Sequence, residues 1–373
     1  MGYVAVSGGQ EAIEASIRLL DHCRAGGGQE LELSAVQQKL GLLIDRVMGE
    51  AGLYAPDYAA LVLKQCEGCV EEAVFLLRAY RSTLPRNYYT QTADTDDMRI
   101  IRRISAAFKD IQGGQILGAT YDYTHRLIHF DLKNEDPMEL LRRVREELEC
   151  QEPQPPKACP RVSDTLKKEG LIDTYEPDDS EPFDVTEQML EFPAPRSARL
   201  QTLARADTGF LGGLAYSVLR GFGAIHPTVG ELRTGYVELL VDYPFGEGES
   251  IWIGEILITE VECFSEADGE KEMKLADGYG VVFGRNENKA IAMSVVDREL
   301  DLPGDFPARD EEFVLMHGDS LEMNGFISHL KLPHYVTFQS KLDAVRKTRK
   351  KPQASGEAEH GADEESQGGC NEE

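Results

Sequence analysis

The chain has 373 residues, 41% of them hydrophobic, and a formal net charge of −27. This suits a protein of two or three domains with ample core material. The charge excludes a nucleic-acid backbone as partner, because phosphate tracking needs a basic face, while a small phosphorylated substrate in a local basic pocket stays open. With no apolar run of 18 residues and no export signal, the expected location is cytoplasmic.

Tyr3 to Ser7 alternates like a short strand, and Gly8-Gly9 turns it into a helix with Ile13, Ile17 and Leu20 on one face. Strand, glycine pair and helix can present N–H groups to an anion. Further helices follow, with Val36, Leu40, Leu43 and Val47 on the second, Pro56 in the first turn of the third, and Val70, Val74, Leu77 and Tyr80 on the fourth. Ile101, Ile104 and Phe108 give helical spacing for a fifth, opening near Asp94 to Asp97. Cys66-x-x-Cys69 lies in helical surroundings with no second pair, which argues against zinc-ribbon or redox use.

Gly113-Gly114 breaks the pattern and leads into Thr120-Tyr121-Asp122-Tyr123-Thr124-His125-Arg126, then a strand-like Leu127 to Leu132. If extended, Asp122, Thr124 and Arg126 share one face. Two readings fit: a substrate-facing segment, or an edge strand whose tyrosines pack.

A charged helix, Met138 to Leu148, precedes a proline-rich run to Pro160, and Tyr175 to Pro195 is a second irregular, acidic stretch. Helices over Ala198–Ala204 and Thr208–Arg220 follow, then strands at Tyr236–Val241, Ile251–Phe264 and Gly280–Gly284, and a helix at Lys289–Leu300. Glu260 and Glu262 share a strand face and suit acid–base pairing or simple solvation. Past Arg349 no core can form. The fold class is α+β: a helical N-terminal layer, a mixed or antiparallel sheet with helices, and a disordered acidic tail. The expected divisions are 1–150, a linker at 151–196, 197–350 and the tail at 351–373.

Phe326-Ile-Ser-His-Leu-Lys-Leu-Pro-His-Tyr335 carries His329 and His334, with Pro333 between them. On a helix their side chains diverge by roughly 140°, and on a strand they take opposite faces. A bend at Pro333 can bring them together. The pair is then either two ligands for a metal or phosphate, or two unrelated polar residues. Two histidines leave a zinc site incomplete. There is no Gly-x-Ser-x-Gly, phosphate-loop or His-Glu-x-x-His motif.

Several runs together resemble one family. They are Tyr3-Val4-Ala5-Val6 with Gly8-Gly9, Ala73 to Tyr80 with Arg81 and Thr83, Arg103 to Ala106, Lys109 to Ile111, Gly113-Gly114-Gln115, Tyr121 to Leu127, Leu214 to Ser217, His226-Pro227, Gly278 to Gly280, Asp310 to Leu315, and Ser328 to Tyr335. The sequence is similar to the I subunit of the bacterial carbon–phosphorus lyase core complex over nearly all the chain to about Arg349.

The resemblance implies a subunit that works with G, H and J subunits. It displaces adenine from MgATP with methylphosphonate, giving α-D-ribose 1-methylphosphonate 5-triphosphate, and acts alone as a nucleosidase on purine nucleoside triphosphates. It implies a zinc ion held by His329 and His334 at the interface with the J subunit. The alternative is a scaffold that only donates zinc ligands. The chemistry asks for a carboxylate near an oxocarbenium-like ribose, an acid for the purine, and Mg²⁺ with donors for the phosphates. Asp122, His125 and Arg126 are candidates for these roles. Gly8, Gly9, Gly113 and Gly114 are candidate backbone donors for phosphate.

Overall fold

The computed structural model describes residues 9–149, 158–174, 178, 180–222, 226–246, 248–268 and 272–349. The predicted strand at Tyr3–Ser7, Gly8, most of the proline-rich run and the acidic tail lie outside them. The chain forms two compact units: the described parts of Met1–Gly26 and Gly325–Glu373 make one, and Gly27–Asn324 the other.

The larger unit begins with four helices, α2 (Leu33–Lys39), α3 (Gly41–Ala51), α4 (Pro56–Gln65) and α5 (Val70–Ser82). Their apolar stripes meet in one core of Val36, Val47, Met48, Leu63, Val74 and Leu77, which is why these short helices hold. Pro56 opens α4, and Gly52 ends α3 in the left-handed conformation that glycine adopts without penalty.

The sheet is antiparallel in the order β1 (Arg99–Ile104), β2 (Thr228–Asp242), β3 (Ser250–Asp268), β4 (Met273–Phe283). The exposed α6 (Pro137–Glu149), then α7 (Val162–Lys168), α8 (Arg196–Arg205) and α9 (Thr208–Ser217) connect β1 to β2. After β4 come α10 (Glu287–Glu299), α11 (Glu311–His317) and α12 (Ser320–Ser328). The chain is α+β, as predicted.

Helix α10 lies on one sheet face. A Cβ on Gly278 would come within 2.1 Å of the Ser294 carbonyl, and one on Gly280 within 2.2 Å of the Ala290 carbonyl. Glycine at both places lets helix and strand touch backbone to backbone. The core on this face includes Leu232, Val261, Val282, Met293 and Val296.

The fifth predicted helix is instead β1. Its helical spacing picked out Ile101 and Phe108, which are exposed, whereas Arg102 and Arg103 are buried. Two buried arginines side by side hid the strand alternation. A register shift between Ile100 and Arg102 sets them. Arg103 binds Glu231 and donates to the Gln112 carbonyl at 2.6 Å. The strand-like Leu127 to Leu132 is exposed coil running into a 3-10 turn, Phe130–Asn134.

Glu260 and Glu262 are not solvated. Both are buried. Arg161 reaches Glu260 at 3.1 Å and Glu262 at 3.5 Å, and the Tyr279 hydroxyl donates to Glu260 at 3.0 Å. Burial pushes the Glu262 carboxyl up, opposed by Arg161. Burial and the Glu260 charge push the Tyr279 phenol up.

The smaller unit contains α1 (Gly9–Arg24) and α13 (Tyr335–Arg349). The predicted stripe of α1, Ile13, Ile17 and Leu20, is exposed.

Candidate active site and candidate metal ligands

Tyr121 to Arg126 is a turn, not an extended strand. The Thr124 N–H donates to the Tyr121 carbonyl at 3.1 Å, and so does Arg126 Nε at 3.0 Å. Arg126 takes a left-handed φ of 56° to do so. Buried Arg102 anchors the turn, donating from Nη2 to Asp122 at 2.5 Å and from Nε to Glu287, in the first turn of α10, at 2.5 Å. Burial pulls the Arg102 pKa down, but the Glu287 hydrogen bond and the charges of Glu287 and Asp122 outweigh it and the net direction is up. Arg126 approaches the other Asp122 oxygen at 3.6 Å. The fold thus brings Asp122 and Arg126 together, while His125 projects into solvent.

Gly113 and Gly114 both have left-handed φ, 86° and 81°. A Cβ on Gly113 would meet the Ala158 carbonyl at 2.6 Å. The Gly114 N–H is given to the Ile111 carbonyl at 2.9 Å. The pair makes a turn that closes over Arg103. Gly9 starts α1, with φ 54°.

His329 and His334 lie in the smaller unit. A 3-10 turn, His329–Lys331, follows α12, and Leu332 is extended before Pro333 as a residue preceding proline should be. The chain re-enters a helix at once, with the Phe338 N–H on the His334 carbonyl at 2.9 Å. This bend brings the two ring centroids to 5.5 Å. His334 Nδ1 lies 2.6 Å from the Leu332 carbonyl, and His329 Nδ1 bonds the Phe326 carbonyl. A carbonyl only accepts, so each Nδ1 carries a proton, and in the neutral imidazole that leaves Nε2 as the nitrogen able to take a metal. Two imidazoles on one tetrahedral ion would have centroids about 5 Å apart. The pair fits zinc as two ligands. Among the described residues no three His, Cys, Asp or Glu converge, so these residues supply two ligands and not a complete site.

A feature not foreseen from the sequence is a cavity of about 790 Å³ in the larger unit. It runs from α3 and α8 past β4 onto the sheet face opposite α10. Its floor includes Val237, Ile256, Ile258 and Phe283, and its walls carry Arg81, Arg86, Arg205 and Asp184. Arg86 bonds Asp184 at the wall. The arginines come from α5, α8 and the loop after α5, and only the i, i+3 pair Arg78 and Arg81 on one helix face of an acidic chain hinted at them.

Residues 2–352 match the family profile described as bacterial phosphonate metabolism protein (PhnI). The chain belongs to the PhnI family. A relative from Rhizobium meliloti (strain 1021), named alpha-D-ribose 1-methylphosphonate 5-triphosphate synthase subunit PhnI, is 44% identical over 367 residues, 95% of this chain and 96% of the relative. The protein of that name from Escherichia coli (strain K12) is 45% identical over 355 residues, 92% of this chain and 98% of the relative. A Stutzerimonas stutzeri protein named as a candidate C-P lyase subunit, HtxH, is 47% identical over 366 residues, 95% of this chain and 98% of the relative. The PhnI match takes in the turn, the cavity and the histidine pair alike. It ends at 352, where the acidic tail begins. No helix among the described residues is long and apolar enough to cross a membrane.

Proposed function

We propose that this PhnI-family chain is the subunit that displaces adenine from MgATP. With its partners and methylphosphonate it forms α-D-ribose 1-methylphosphonate 5-triphosphate, and alone it hydrolyses purine nucleoside triphosphates at C1′. Its partners are the G, H and J subunits of the carbon–phosphorus lyase core complex, in the cytoplasm. The observation that carries this reading is the near full-length similarity to two relatives named as subunits of that synthase.

The test is incubation of the chain with MgATP, with and without partners and methylphosphonate. Free adenine is expected in both cases by chromatography, and a phosphonate ester by ³¹P NMR only when partners and methylphosphonate are present. A folded chain that releases no adenine refutes the intrinsic nucleosidase.

Asp122, His125 and Arg126 face a physical obstacle as the reacting groups. All three are exposed and Asp122 is already engaged by two guanidinium groups. A reaction through an oxocarbenium-like state benefits from exclusion of water. They remain an alternative placement, completed by a partner surface.

A scaffold reading is favoured by one observation. Phe326, Ile327, Leu330, Leu332, Val336 and Phe338 flank the two histidines in sequence and are all exposed, and the Phe326 ring centroid lies 4.8 Å from that of His329. An apolar patch of this kind marks a protein interface. We propose that the J subunit covers it and completes a zinc site on His329 and His334. Zinc there would cross-link the two chains and act as a Lewis acid. The two readings are compatible.

A further inference from the structure

Arg81 and Arg205 stand in the cavity wall with little to bind. Among the described residues Arg205 makes no hydrogen bond or ion pair, and its Nε is sealed from solvent without a partner. Arg81 has one hydrogen bond among the described residues, to the Gly52 carbonyl at 3.4 Å. Asp319, whose charge acts on both arginines, is committed to Arg78 at 2.5 Å, and Asp184 is committed to Arg86. Burial and the charges of Arg78 and Arg81 bring the Arg205 guanidinium down to about 10. Burial, Arg78 and Arg86 lower Arg81 in the same direction.

The cavity lining carries three arginines and three carboxylates: Arg86 is paired with Asp184 and Glu187, which leaves Arg81 and Arg205 beside Glu181. Both guanidinium groups are half-buried, and a cation drawn out of water normally has a partner. The backbone is shaped to admit these two. Gly52 has φ 65°, and a Cβ there would lie 2.8 Å from Arg81 Nη1 and 3.1 Å from Arg205 Nε. Across the cavity the sheet offers an apolar face of Val237, Ile256, Ile258 and Phe283, with Tyr88 and Tyr89 beside it. One end therefore suits a polyanion and the other a flat, weakly polar ring.

We propose that this cavity binds a nucleoside triphosphate, with the phosphates against Arg81 and Arg205 and the base on the sheet face. The identity of the ligand rests on the proposed function; the cation pair by itself asks only for a polyanion. The proposal moves the nucleotide away from the Tyr121–Arg126 turn.

The test is calorimetric binding of Mg²⁺-9-deaza-ATP, whose carbon–carbon glycosidic bond cannot be cleaved, to the full chain, beside tripolyphosphate and adenosine. Wild type is expected to bind the triphosphate most tightly. Arg205→Met and Arg81→Met should each weaken the triphosphate and tripolyphosphate at least tenfold and adenosine less than twofold. The unliganded Arg205→Met melting temperature should equal or exceed that of wild type, because the variant loses a half-buried guanidinium whose sealed Nε has no partner among the described residues.

A wild-type footprint avoids any folding defect: the ligand should protect Arg81 and Arg205, and not the exposed Arg142, from phenylglyoxal. Equal binding by wild type and both variants, or no protection, overturns the cavity site. If adenine release persists unchanged in the variants, the cavity proposal falls and the proposed function stands. If the arginines are protected but the chain never releases adenine, the cavity stands as a polyanion site and the nucleosidase reading falls.

Discussion

At the scale of single residues, histidine tautomer and carboxylate engagement decide what each group can do. The two Nδ1 atoms are occupied by carbonyls of their own chain, which leaves Nε2 as the ring nitrogen a metal would take. His329→Ala or His334→Ala, in the assembled complex, should reduce zinc from about one ion per chain to a small fraction of that, read by plasma mass spectrometry. Adenine release by the isolated chain should be unchanged, because neither histidine is among the residues that line the nucleotide cavity proposed above. Asp122→Asn should alter adenine release by the isolated chain less than threefold. A hundredfold loss, the scale of a missing acid–base group, would return the reaction to the turn. The stability change should be about 1 kcal/mol or less, since Asp122 is half exposed.

At the scale of elements, the close seating of α10 on β4 is the most demanding contact of the larger unit. It needs the bare backbone at Gly278 and Gly280. Gly280→Ala should cost about 3 kcal/mol, at the upper end for overpacking, because the clash is with a helix carbonyl and not a movable side chain. A fall in urea midpoint with unchanged slope would show it. The same helix ties the sheet to the turn, since Glu287 in its first turn and Asp122 share the Arg102 guanidinium. Strain in α10 should therefore loosen the turn as well, seen as faster amide exchange around Tyr121 to Thr124.

At the scale of the molecule, buried charge shapes the pH response. Lys289 is fully buried and its Nζ has no hydrogen-bond partner among the described residues. Burial brings its pKa from 10.5 down to about 8, against the pull of Glu50 and Asp207 and helped by Arg46 and Arg78. A lysine depressed in the folded state gives up its proton there while the unfolded chain still holds one. Stability should then rise as pH increases from about 8 to 10.5, and Lys289→Met should flatten that rise. The rise is on the order of 3 kcal/mol, measurable as urea midpoints across the window. The variant should also be the more stable protein at pH 7.

The sequence by itself determined the α+β class, the paired helices of the N-terminal layer, the strands β2 to β4, and the histidine pair with its proline bend. These rest on local rules: apolar periodicity, glycine and proline at ends, and the residue before a proline. Family membership was likewise carried by short runs. Tertiary structure alone decided the rest. Strand β1 was hidden because Arg102 and Arg103 sit where apolar residues were expected, their charge met by Glu287, Asp122 and Glu231 from distant segments. Glu260 and Glu262 lie buried because Arg161, about a hundred residues away, reaches them. The arginine-lined cavity has the same origin. Arg81 and Arg205 become neighbours at Gly52 only when α3, α5 and α8 pack. Charges acquire their partners by long-range packing, and no periodicity along the chain records which charge will meet which.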